Sequence, residues 1–370
     1  MSREELRNTA GVLGSRILVV HQGALGDLVL ALPAIKALRD ALQPTRLEML
    51  GHPWTLALVH SQPYADAVTD INRADMASLF LEAAPLPATL KGHIGTFDAA
   101  FCFSRSEVLV HNLRRAGIRQ TFTLSPFPDK RMHVIDHHLS SLKAFGIAVA
   151  PTPPMIFPPQ GAQEEARAFF LQKNWDLRGI VAIHPGAGSR KKAWPAARFA
   201  ALARALAGKS NKILIIAGPA DEKITKEVLK GLADTPYLLV QNQPITRLAA
   251  LLSFASLFIG NDSGVSHVAA ALKRPTIALF GPTDPYVWAP RNDQTFWLQG
   301  RTACAPCTRD AQRSCKQQHC LDSIQVEAVM ALIAEKGLIN DTAAFHERRA
   351  IPREKRAQQY GEEGQSLPPP

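Results

Sequence analysis

Residues 16–42 have the sequence RILVVHQGALGDLVLALPAIKALRDAL, and this stretch decides the fold. It opens with a short run rich in β-branched residues, Arg16 to His21, which is typical of a buried strand. A glycine loop follows directly, and the apolar residues from Leu28 onward recur at helical spacing. A strand, a loop and a helix in immediate succession are the first unit of an alternating α/β chain, which predicts a parallel, doubly wound sheet.

The same succession recurs in both halves of the chain. Further strands are predicted where short apolar runs end in loop-forming residues, at 46–50, 97–103, 179–185, 212–219, 257–264 and 276–282. Helices are predicted where apolar residues recur at helical spacing, at 134–147, 197–206 and 221–233. Two such sheets in tandem bring the loops at their carboxyl ends toward each other, and a crevice of this kind is where ligands bind.

The chain of 370 residues is long enough for two domains of roughly 150 residues each. Five prolines between Pro151 and Pro159 cannot continue a helix or lie inside a central strand, which places a linker at 151–162. The predicted order is a Rossmann-like domain at 1–150, this linker, a second Rossmann-like domain at 163–323, an amphipathic helix at 324–340 and a disordered basic tail at 341–370. Packing against the first domain is one option for the amphipathic helix.

The formal net charge of +10 predicts a surface that attracts nucleic acid, anionic lipid headgroups or phosphorylated small molecules. No RNA-binding signature with interleaved aromatic residues occurs, so nucleic acid is not the expected partner. Residues 1–16 carry acidic side chains and lack the apolar core of a signal peptide, and no run of about 18 apolar residues predicts a membrane span. The expected location is cytoplasmic, with a peripheral contact to the membrane left open.

The first glycine loop contains Gly23 and Gly26, which allow close backbone approach, and it precedes a helix with free amide donors. It lacks the three glycines of a dinucleotide-binding loop and the lysine with serine or threonine of a P-loop. Its chemically active group is Asp27, at the start of the helix. Asp27 is either a cap that interacts with the helix dipole, worth under about 1 kcal/mol, or a carboxylate at the mouth of the cleft that acts as a general base.

The second loop, HPGAGSRKKAWP at 184–195, follows a predicted strand. Its hydroxyl and cationic side chains are suited to neutralise a diphosphate, and they are Ser189, Arg190, Lys191 and Lys192. The alternative is a solvated charged face, with Trp194 anchored in the core.

The third loop, GNDSGVSH at 260–267, begins another helix, and its small residues let a ligand reach the backbone amides. The candidate binding residues in this loop are Asp262, Ser263, Gly264 and His267. In the alternative, Asn261 or Asp262 is a helix N-cap and His267 is a hydrogen-bonded, partly buried imidazole. A fourth loop at 281–284 is expected near the same ligand.

Four of the five cysteines cluster late in the chain, at Cys304, Cys307, Cys315 and Cys320. Their spacing is compatible with a tetrahedral zinc site, whereas disulfides are disfavoured in a reducing cytoplasm. A structural role, with zinc or with no metal, is favoured over a catalytic one.

Taken together and in this order, the four loops resemble those of the ADP-heptose:lipopolysaccharide heptosyltransferases, glycosyltransferase family 9. The resemblance rests on GALGDLVLALPA, on HPGAGS with KAWP, and on GNDSGVSHVAAAL followed by PTIALFGPTDP. It covers the chain from about Arg16 to Ile333. It implies a GT-B fold, in which two Rossmann-like domains face each other across a cleft, and inverting transfer of heptose from ADP-heptose to the lipopolysaccharide inner core without a metal or other cofactor.

The resemblance also implies roles for individual residues. Asp27 matches the aspartate that takes the proton from the acceptor hydroxyl, which assigns the acceptor to the domain at 1–150. Lys192 matches the lysine that pairs with the donor diphosphate, but the neighbouring Arg190 and Lys191 leave open which cation does so. The residues matched to the loop that holds the donor sugar and phosphates are Asp262, Ser263, Gly264 and His267, and a looser match assigns Ser189 to a phosphate. The implied partners are a nucleotide-sugar donor and a lipopolysaccharide core acceptor at the inner membrane surface, whose negative charge suits the basic chain.

Three alternatives remain open. Another nucleotide sugar or acceptor would leave the same loops unchanged, and acceptor choice is expected to depend on residues 51–150. A non-catalytic module would bind the sugar nucleotide without any need for Asp27. A nicotinamide dehydrogenase is disfavoured, because the chain lacks GxGxxG with an acid about 20 residues further on.

Overall fold

The computed structural model describes residues 15–60, 63–316 and 319–339. The prediction that residues 1–16 are not a signal peptide falls largely outside these residues, and the prediction of a disordered tail at 341–370 falls wholly outside them. Within the described residues, no helix is both long and apolar enough to cross a membrane.

The first half is built on a five-stranded parallel sheet. Its strands are β1 (Arg16–His21), β2 (Arg46–Gly51), β3 (Ala67–Asp70), β4 (Ala99–Phe103) and β5 (Gln120–Leu124), in the order β3-β2-β1-β4-β5. Strand β1 is central, and Ile17 pairs with Leu47 on one side and with Ala99 on the other. Both faces of β1 are buried under helices, which is why its sequence is a continuous apolar run rather than an alternating one.

Helices cover both faces of this sheet. They are α1 (Leu25–Leu42), α2 (Pro53–Leu56), α3 (Ala88–Ile94), α4 (Glu107–Arg115) and α5 (Val134–Leu142), with 3-10 turns at Met76–Phe80 and Lys143–Phe145. Helix α1 is buried along most of its length and packs against α5 and against a helix of the second half. It therefore belongs to the core of both halves rather than to one outer layer.

The second half is a six-stranded parallel sheet with its own helices. The strands are β6 (Ile180–His184), β7 (Lys212–Ala217), β8 (Tyr237–Gln241), β9 (Leu257–Asn261), β10 (Thr276–Phe280) and β11 (Thr295–Gln299), in the order β11-β10-β9-β6-β7-β8. The helices are α6 (Gln160–Gln172), α7 (Ala196–Ala207), α8 (Glu222–Gly231), α9 (Ile245–Leu252), α10 (Gly264–Ala271), α11 (Pro285–Trp288), α12 (Arg309–Ser314), α13 (His319–Asp322) and α14 (Val326–Glu335). Short 3-10 turns lie at Arg190–Lys192 and Pro219–Asp221.

The two halves share one hydrophobic cluster, which runs from α1 through α10 into the second sheet. Polar contacts at the rim reinforce it, because Arg131 pairs with Asp284 at 2.6 Å and Arg291 pairs with Asp136 at 2.6 Å. The proline-rich segment crosses between the halves, and the amide of Ile156 donates to the carbonyl oxygen of Ala271 in α10. Helix α6 begins at Gln160, inside the segment predicted as the linker.

The predicted α/β, doubly wound architecture is confirmed. Four strands, β3, β5, β8 and β11, are absent from the sequence-based prediction, and these are the four edge strands of the two sheets. Edge strands are partly exposed, so they lack the continuous apolar run that marks a central parallel strand. The option of packing α14 on the first half is wrong, because α14 lies against α7 and buries Val329 and Ile333 in the second half's core.

Candidate active site

Asp27 lies at the mouth of the first loop, where β1 passes into α1. It is the third residue of α1, and its Oδ2 accepts a hydrogen bond from the amide of Ala24 at 3.0 Å. A Cβ added at Gly23 would lie 2.7 Å from the Asp27 Cβ and 2.9 Å from the His21 Cε1. Gly23 therefore makes room for an acidic side chain, and the capping role that the sequence offered for Asp27 is present in the structure.

The carboxyl group of Asp27 is half-buried, and its electrostatic neighbours come from the second half of the chain. Burial raises the pKa of Asp27 above its ordinary value, while the Ala24 amide and Lys192 lower it and Asp262 raises it. The Asp27 carboxyl group therefore loses its proton at a higher pH than an exposed aspartate does. The first and third loops thus lie close enough for their charges to interact.

Two glycines allow the halves to approach at this point. A Cβ on Gly264 would lie 2.8 Å from the Leu25 Cβ, and a Cβ on Gly26 would lie 3.1 Å from the His267 Cδ2. The amino-terminal ends of α1 and α10 are therefore in direct contact. This contact brings the two loops together as the sequence predicted.

The cations of the second loop have different surroundings. Lys192 Nζ donates to Asp262 Oδ2 at 2.8 Å, whereas Lys191 Nζ donates to the carbonyl oxygens of Gln312 and Arg313 at 2.7 and 2.8 Å. Lys191 is therefore committed to the cysteine-rich segment, and Lys192 lies beside the third loop. The alternative of a solvated charged face with Trp194 in the core is thus met only in part, because both lysines have partners within the protein while Trp194 is completely buried.

Ser189 begins the 3-10 turn that carries these lysines. Its hydroxyl accepts from the Lys191 amide at 3.3 Å, so the side chain caps the turn. Ser189 and Arg190 also line a cavity of about 350 Å³ that extends to Asp221 and Glu227. This cavity opens beside the carboxyl ends of β6 and β7.

Asp262 is buried and is the point where three loops meet. Its Oδ2 accepts from Lys192 in the second loop and from the Thr283 hydroxyl in the fourth loop, at 2.8 and 2.6 Å. This contact brings Thr283 to the third loop, in agreement with the prediction that the fourth loop lies near it. Asp284 does not, since it caps α11 and pairs with Arg131 of the first half.

Asn261 fastens the second loop to the third. Its fully buried side chain accepts from the Trp194 amide at 2.9 Å and donates to the carbonyl oxygens of Pro185 and Gly186 at 2.8 and 3.1 Å. The alternative that Asn261 or Asp262 is the N-cap of α10 is wrong, because Ser263 occupies that position. The amide of Asn261 pairs with loop backbone instead, since those groups lie inside the protein and require partners.

His267 differs from its sequence alternative as well. Its imidazole is 4% exposed, and among the described residues its Nδ1 has no hydrogen-bond partner. Burial lowers the pKa of His267 to about 4, so the ring is neutral near pH 7. The alternative of a hydrogen-bonded, partly buried histidine is therefore not met at Nδ1, and a buried polar atom without a partner is unusual.

The structure adds one residue that the motifs did not point to, Asp221. It follows β7, and its Oδ2 lies 3.1 Å from the Nε2 of His184, at the end of β6. The Nδ1 of His184 lies 3.3 Å from the Ser263 hydroxyl. An aspartate separated from the third loop by about forty residues gives no sequence signal, because parallel neighbours in a sheet are not neighbours in the chain.

The four clustered cysteines surround one cavity of about 150 Å³, which Lys191 and Pro282 also line. No disulfide joins them, and burial raises the pKa of the Cys307 and Cys320 thiols. Within the described part of the chain, no three cysteine, histidine or acidic side chains are arranged to hold a metal ion. The fifth cysteine, Cys102 in β4, is completely buried in the core of the first half.

Known proteins share this architecture. The chain is 25% identical to lipopolysaccharide heptosyltransferase 3 of Escherichia coli strain K12, over 88% of this chain and 98% of that protein. A family 9 glycosyl transferase from Veillonella parvula DSM 2008 has a similar structure, with a TM-score of 0.75 and 20% identity over 88% of this chain and 97% of that one. The E. coli ADP-heptose lps heptosyltransferase II has a TM-score of 0.67 and 17% identity, over 87% and 99% of the two chains. The fold is thus that of the GT-B glycosyltransferases.

The family follows from the sequence match. The sequence model described as glycosyltransferase family 9 (heptosyltransferase) matches residues 128–319, more than half of the chain. The chain therefore belongs to glycosyltransferase family 9, and it is a glycosyltransferase. The resemblance carried by the four loops is confirmed.

Proposed function

We propose that this enzyme transfers a heptose from ADP-heptose to the inner core of lipopolysaccharide, with inversion at the anomeric carbon and with Asp27 as the general base. The observation that carries the proposal is the ion pair between Lys192 and Asp262 just before α10, because the charges of both residues act on Asp27 of the other half. A cation and a helix amino terminus on one side and a carboxylate on the other suit a departing diphosphate and an entering hydroxyl.

The donor binds on the side of the second half. Lys192 lies beside the third loop and its charge acts on Asp27, while Lys191 bonds to the cysteine-rich segment, so Lys192 is the cation we assign to the diphosphate. Ser263 and Gly264 offer the amide groups at the start of α10, and Asp262 offers a carboxylate to sugar hydroxyls. Ser189 lines the 350 Å³ cavity, which is large enough for part of a nucleoside. His267, on the same helix as Ser263 and Gly264, is the further donor-binding residue of this proposal.

The transfer step uses Asp27 and Lys192 together. The acceptor oxygen bonds to the anomeric carbon from the face opposite the nucleotide, and the bond from that carbon to the distal phosphate oxygen breaks. The acceptor proton passes to the Asp27 carboxylate, and Lys192 stabilises the negative charge of the released ADP. Attack from the opposite face inverts the configuration, and the protein supplies this chemistry from its own side chains.

The acceptor side is the first half, where Asp27 lies. The relatives named above act on lipopolysaccharide, an anionic glycolipid, and the net charge of +10 favours such an acceptor at an anionic membrane surface. Peripheral binding at the cytoplasmic face of the inner membrane is part of this proposal.

A structural zinc ion at the four clustered cysteines stays a prediction. Their arrangement around one cavity supports it, whereas their present geometry does not form a coordination shell. Metal analysis of the purified protein tests it, since a bound ion appears in a fixed ratio to protein and a metal-free, fully folded enzyme contradicts it.

The decisive experiment offers the enzyme a panel of nucleotide sugars and core-truncated lipopolysaccharides and detects transfer by mass. We expect transfer from ADP-heptose, and a fall of about a thousandfold in Asp27→Ala, because general base catalysis contributes on that order. Ser106→Ala removes the cap of α4 and is the matched control, with a loss of about 1 kcal/mol of stability and normal transfer.

Other outcomes of this experiment select the alternatives. Turnover with a different nucleotide sugar would identify another family 9 activity. Binding of ADP-heptose with no dependence of any reaction on Asp27 would identify a non-catalytic module.

A further inference from the structure

Polar side chains of the first half hold the second half through contacts that the transfer step does not use. The guanidinium group of Arg291 donates to both carboxylate oxygens of Asp136, at 2.6 and 3.0 Å. Arg131 donates to both carboxylate oxygens of Asp284, at 2.6 and 3.3 Å. With a third contact these two ion pairs form what we call the interdomain clasp, whose members are Arg131, His133 and Asp136 in the first half and Asp284, Ala289 and Arg291 in the second.

His133 is the buried centre of the clasp. Its Nδ1 accepts from the amide of Ile135 at 3.2 Å, so Nε2 is the protonated nitrogen and donates to the carbonyl oxygen of Ala289 at 2.9 Å. Burial lowers the pKa of His133, which keeps the ring neutral near pH 7. Trp288, next to Ala289 in the chain, packs against Phe127 of the first half, with 5.6 Å between the ring centroids. One neutral tautomer of His133 therefore caps α5 and holds the other half at the same time.

In the first half, the clasp is connected to the helix that carries Asp27. His133 is the N-cap of α5, and Asp136 is the third residue of that helix. Helix α5 packs against α1, whose third residue is Asp27, and both helices belong to one buried hydrophobic cluster. Because close-packed interiors are hardly compressible, a shift of α5 is transmitted to α1.

In the second half, the clasp is connected to the donor loops. Asp284 directly follows Thr283, whose hydroxyl donates to Asp262 Oδ2 at 2.6 Å. Asp262 also accepts from Lys192, the cation assigned to the diphosphate. The contacts of the clasp therefore link the element that carries the base to the loops that are proposed to hold the donor.

The geometry points to His133 and Asp136 as positioning residues that keep the Asp27 carboxylate at the place where the acceptor hydroxyl meets the anomeric carbon. A base must lie within hydrogen-bond reach of the proton that it takes, and a misplacement of about 1 Å lowers a rate by up to about a hundredfold. This inference rests on the proposed function, which assigns the donor to the second half and the acceptor to the first. A weaker clasp therefore leaves each substrate its own binding site and lowers only the rate of transfer.

The test separates donor affinity from the rate of transfer. Asp136→Asn removes the charge that pairs with Arg291 and adds no bulk, and both side chains are about one third exposed, so the variant stays folded. We expect the rate at saturating ADP-heptose and acceptor to fall about tenfold, because the base and the donor are no longer held in register. The dissociation constant of ADP-heptose, measured by calorimetry without acceptor, stays as in the wild-type enzyme.

His133→Asn is the second variant. Asparagine is able to cap α5 but is too short to reach Ala289, so the change removes the contact between the halves and keeps the cap. We expect the same pattern, a slower transfer with unchanged affinity for ADP-heptose.

Charge reversal distinguishes positioning from a general loss of stability. Asp136→Arg and Arg291→Asp each place like charges at this contact, and we expect each to lower the rate more than Asp136→Asn does. The double variant forms an ion pair of the opposite direction, and we expect it to recover most of the lost rate, because the two residues act as a coupled pair.

The matched control is Asp66→Asn. Asp66 pairs with Arg39 at 2.6 Å and is as exposed as Asp136, but both partners lie in the first half, and Arg39 is near the other end of α1 from Asp27. We expect a normal rate of transfer.

Three results would overturn the inference: normal rates in both Asp136→Asn and His133→Asn, a loss of donor affinity as large as the loss of rate, or additive losses in the charge-reversed double variant. A wild-type enzyme that transfers nothing from ADP-heptose would instead contradict the proposed function.

Discussion

The first and third loops have the same arrangement of strand, glycine and helix, but the charged groups that they present differ. Each follows a strand buried in the middle of a parallel sheet, each contains glycine, and each starts a helix at the point where the halves meet. In the first loop Gly23 makes room for the chain's own carboxylate at Asp27. In the third loop Gly264 makes room for the opposite half, and the acid there is neutralised by Lys192. A glycine next to the start of a helix therefore indicates that another group lies close to the backbone there. The neighbouring charged residues determine the chemistry of each loop.

Removal of Lys192, the second-loop cation that pairs with Asp262 of the third loop, is expected to break this comparison most strongly. We expect Lys192→Met to lower the rate of transfer by about a hundredfold to a thousandfold and to weaken donor binding, because the departing diphosphate loses its charge partner and Asp262 is left buried without its ion pair. Steady-state kinetics with varied ADP-heptose measure both effects.

The matched control is Lys191→Met, whose ammonium group bonds to backbone carbonyls of the cysteine-rich segment. We expect it to lower the melting temperature and to change the transfer rate by less than about tenfold. Equal losses in the two variants would refute the assignment of Lys192 to the diphosphate.

A smaller effect is expected from filling the space between the halves. In Gly264→Ala the new Cβ would lie 2.8 Å from the Leu25 Cβ, so α1 and α10 must separate. Overpacking of this kind costs about 1–3 kcal/mol, and a displacement of Asp27 from the donor loop lowers the transfer rate. Chemical denaturation and a rate assay at saturating substrates test both.

Gly161→Ala is the control, because Gly161 lies in α6 with nothing near its Cβ position, and alanine is favoured in a helix by up to about 1 kcal/mol. A Gly264→Ala enzyme as stable and active as this control would show that the contact between the loops is not required.

The mildest test concerns the pH at which Asp27 loses its function. Because burial raises the pKa of Asp27, the transfer rate falls with acid at a pH above that of an ordinary aspartate, near 3.9. Lys192 lowers this pKa, so Lys192→Met moves the acid limb of the rate profile to higher pH. An acid limb at the same pH in Lys192→Met and in the wild-type enzyme would show that Lys192 does not influence the pKa of Asp27.

The sequence predicted the central strands of both sheets but not their edge strands. The central strands β1, β6, β9 and β10 were evident because burial on both faces produces unbroken apolar runs. The edge strands were missed because their partial exposure leaves no such run. At the site, Asp27, Lys192 and Asp262 were named from their loops, whereas Asp221 was not, since its partner His184 lies on another strand.

The sequence by itself determined the alternation of strands and helices, the family, and the loops that carry the site, because these depend on local periodicity and on contiguous motifs. Only the tertiary structure decided which charges meet. It separated Lys191 from Lys192, although they are adjacent in the chain, and it placed Asp27 in the field of Lys192 and Asp262 from the other half. The physical reason is that electrostatic interaction depends on distance in space and on burial, neither of which is fixed by separation along the chain.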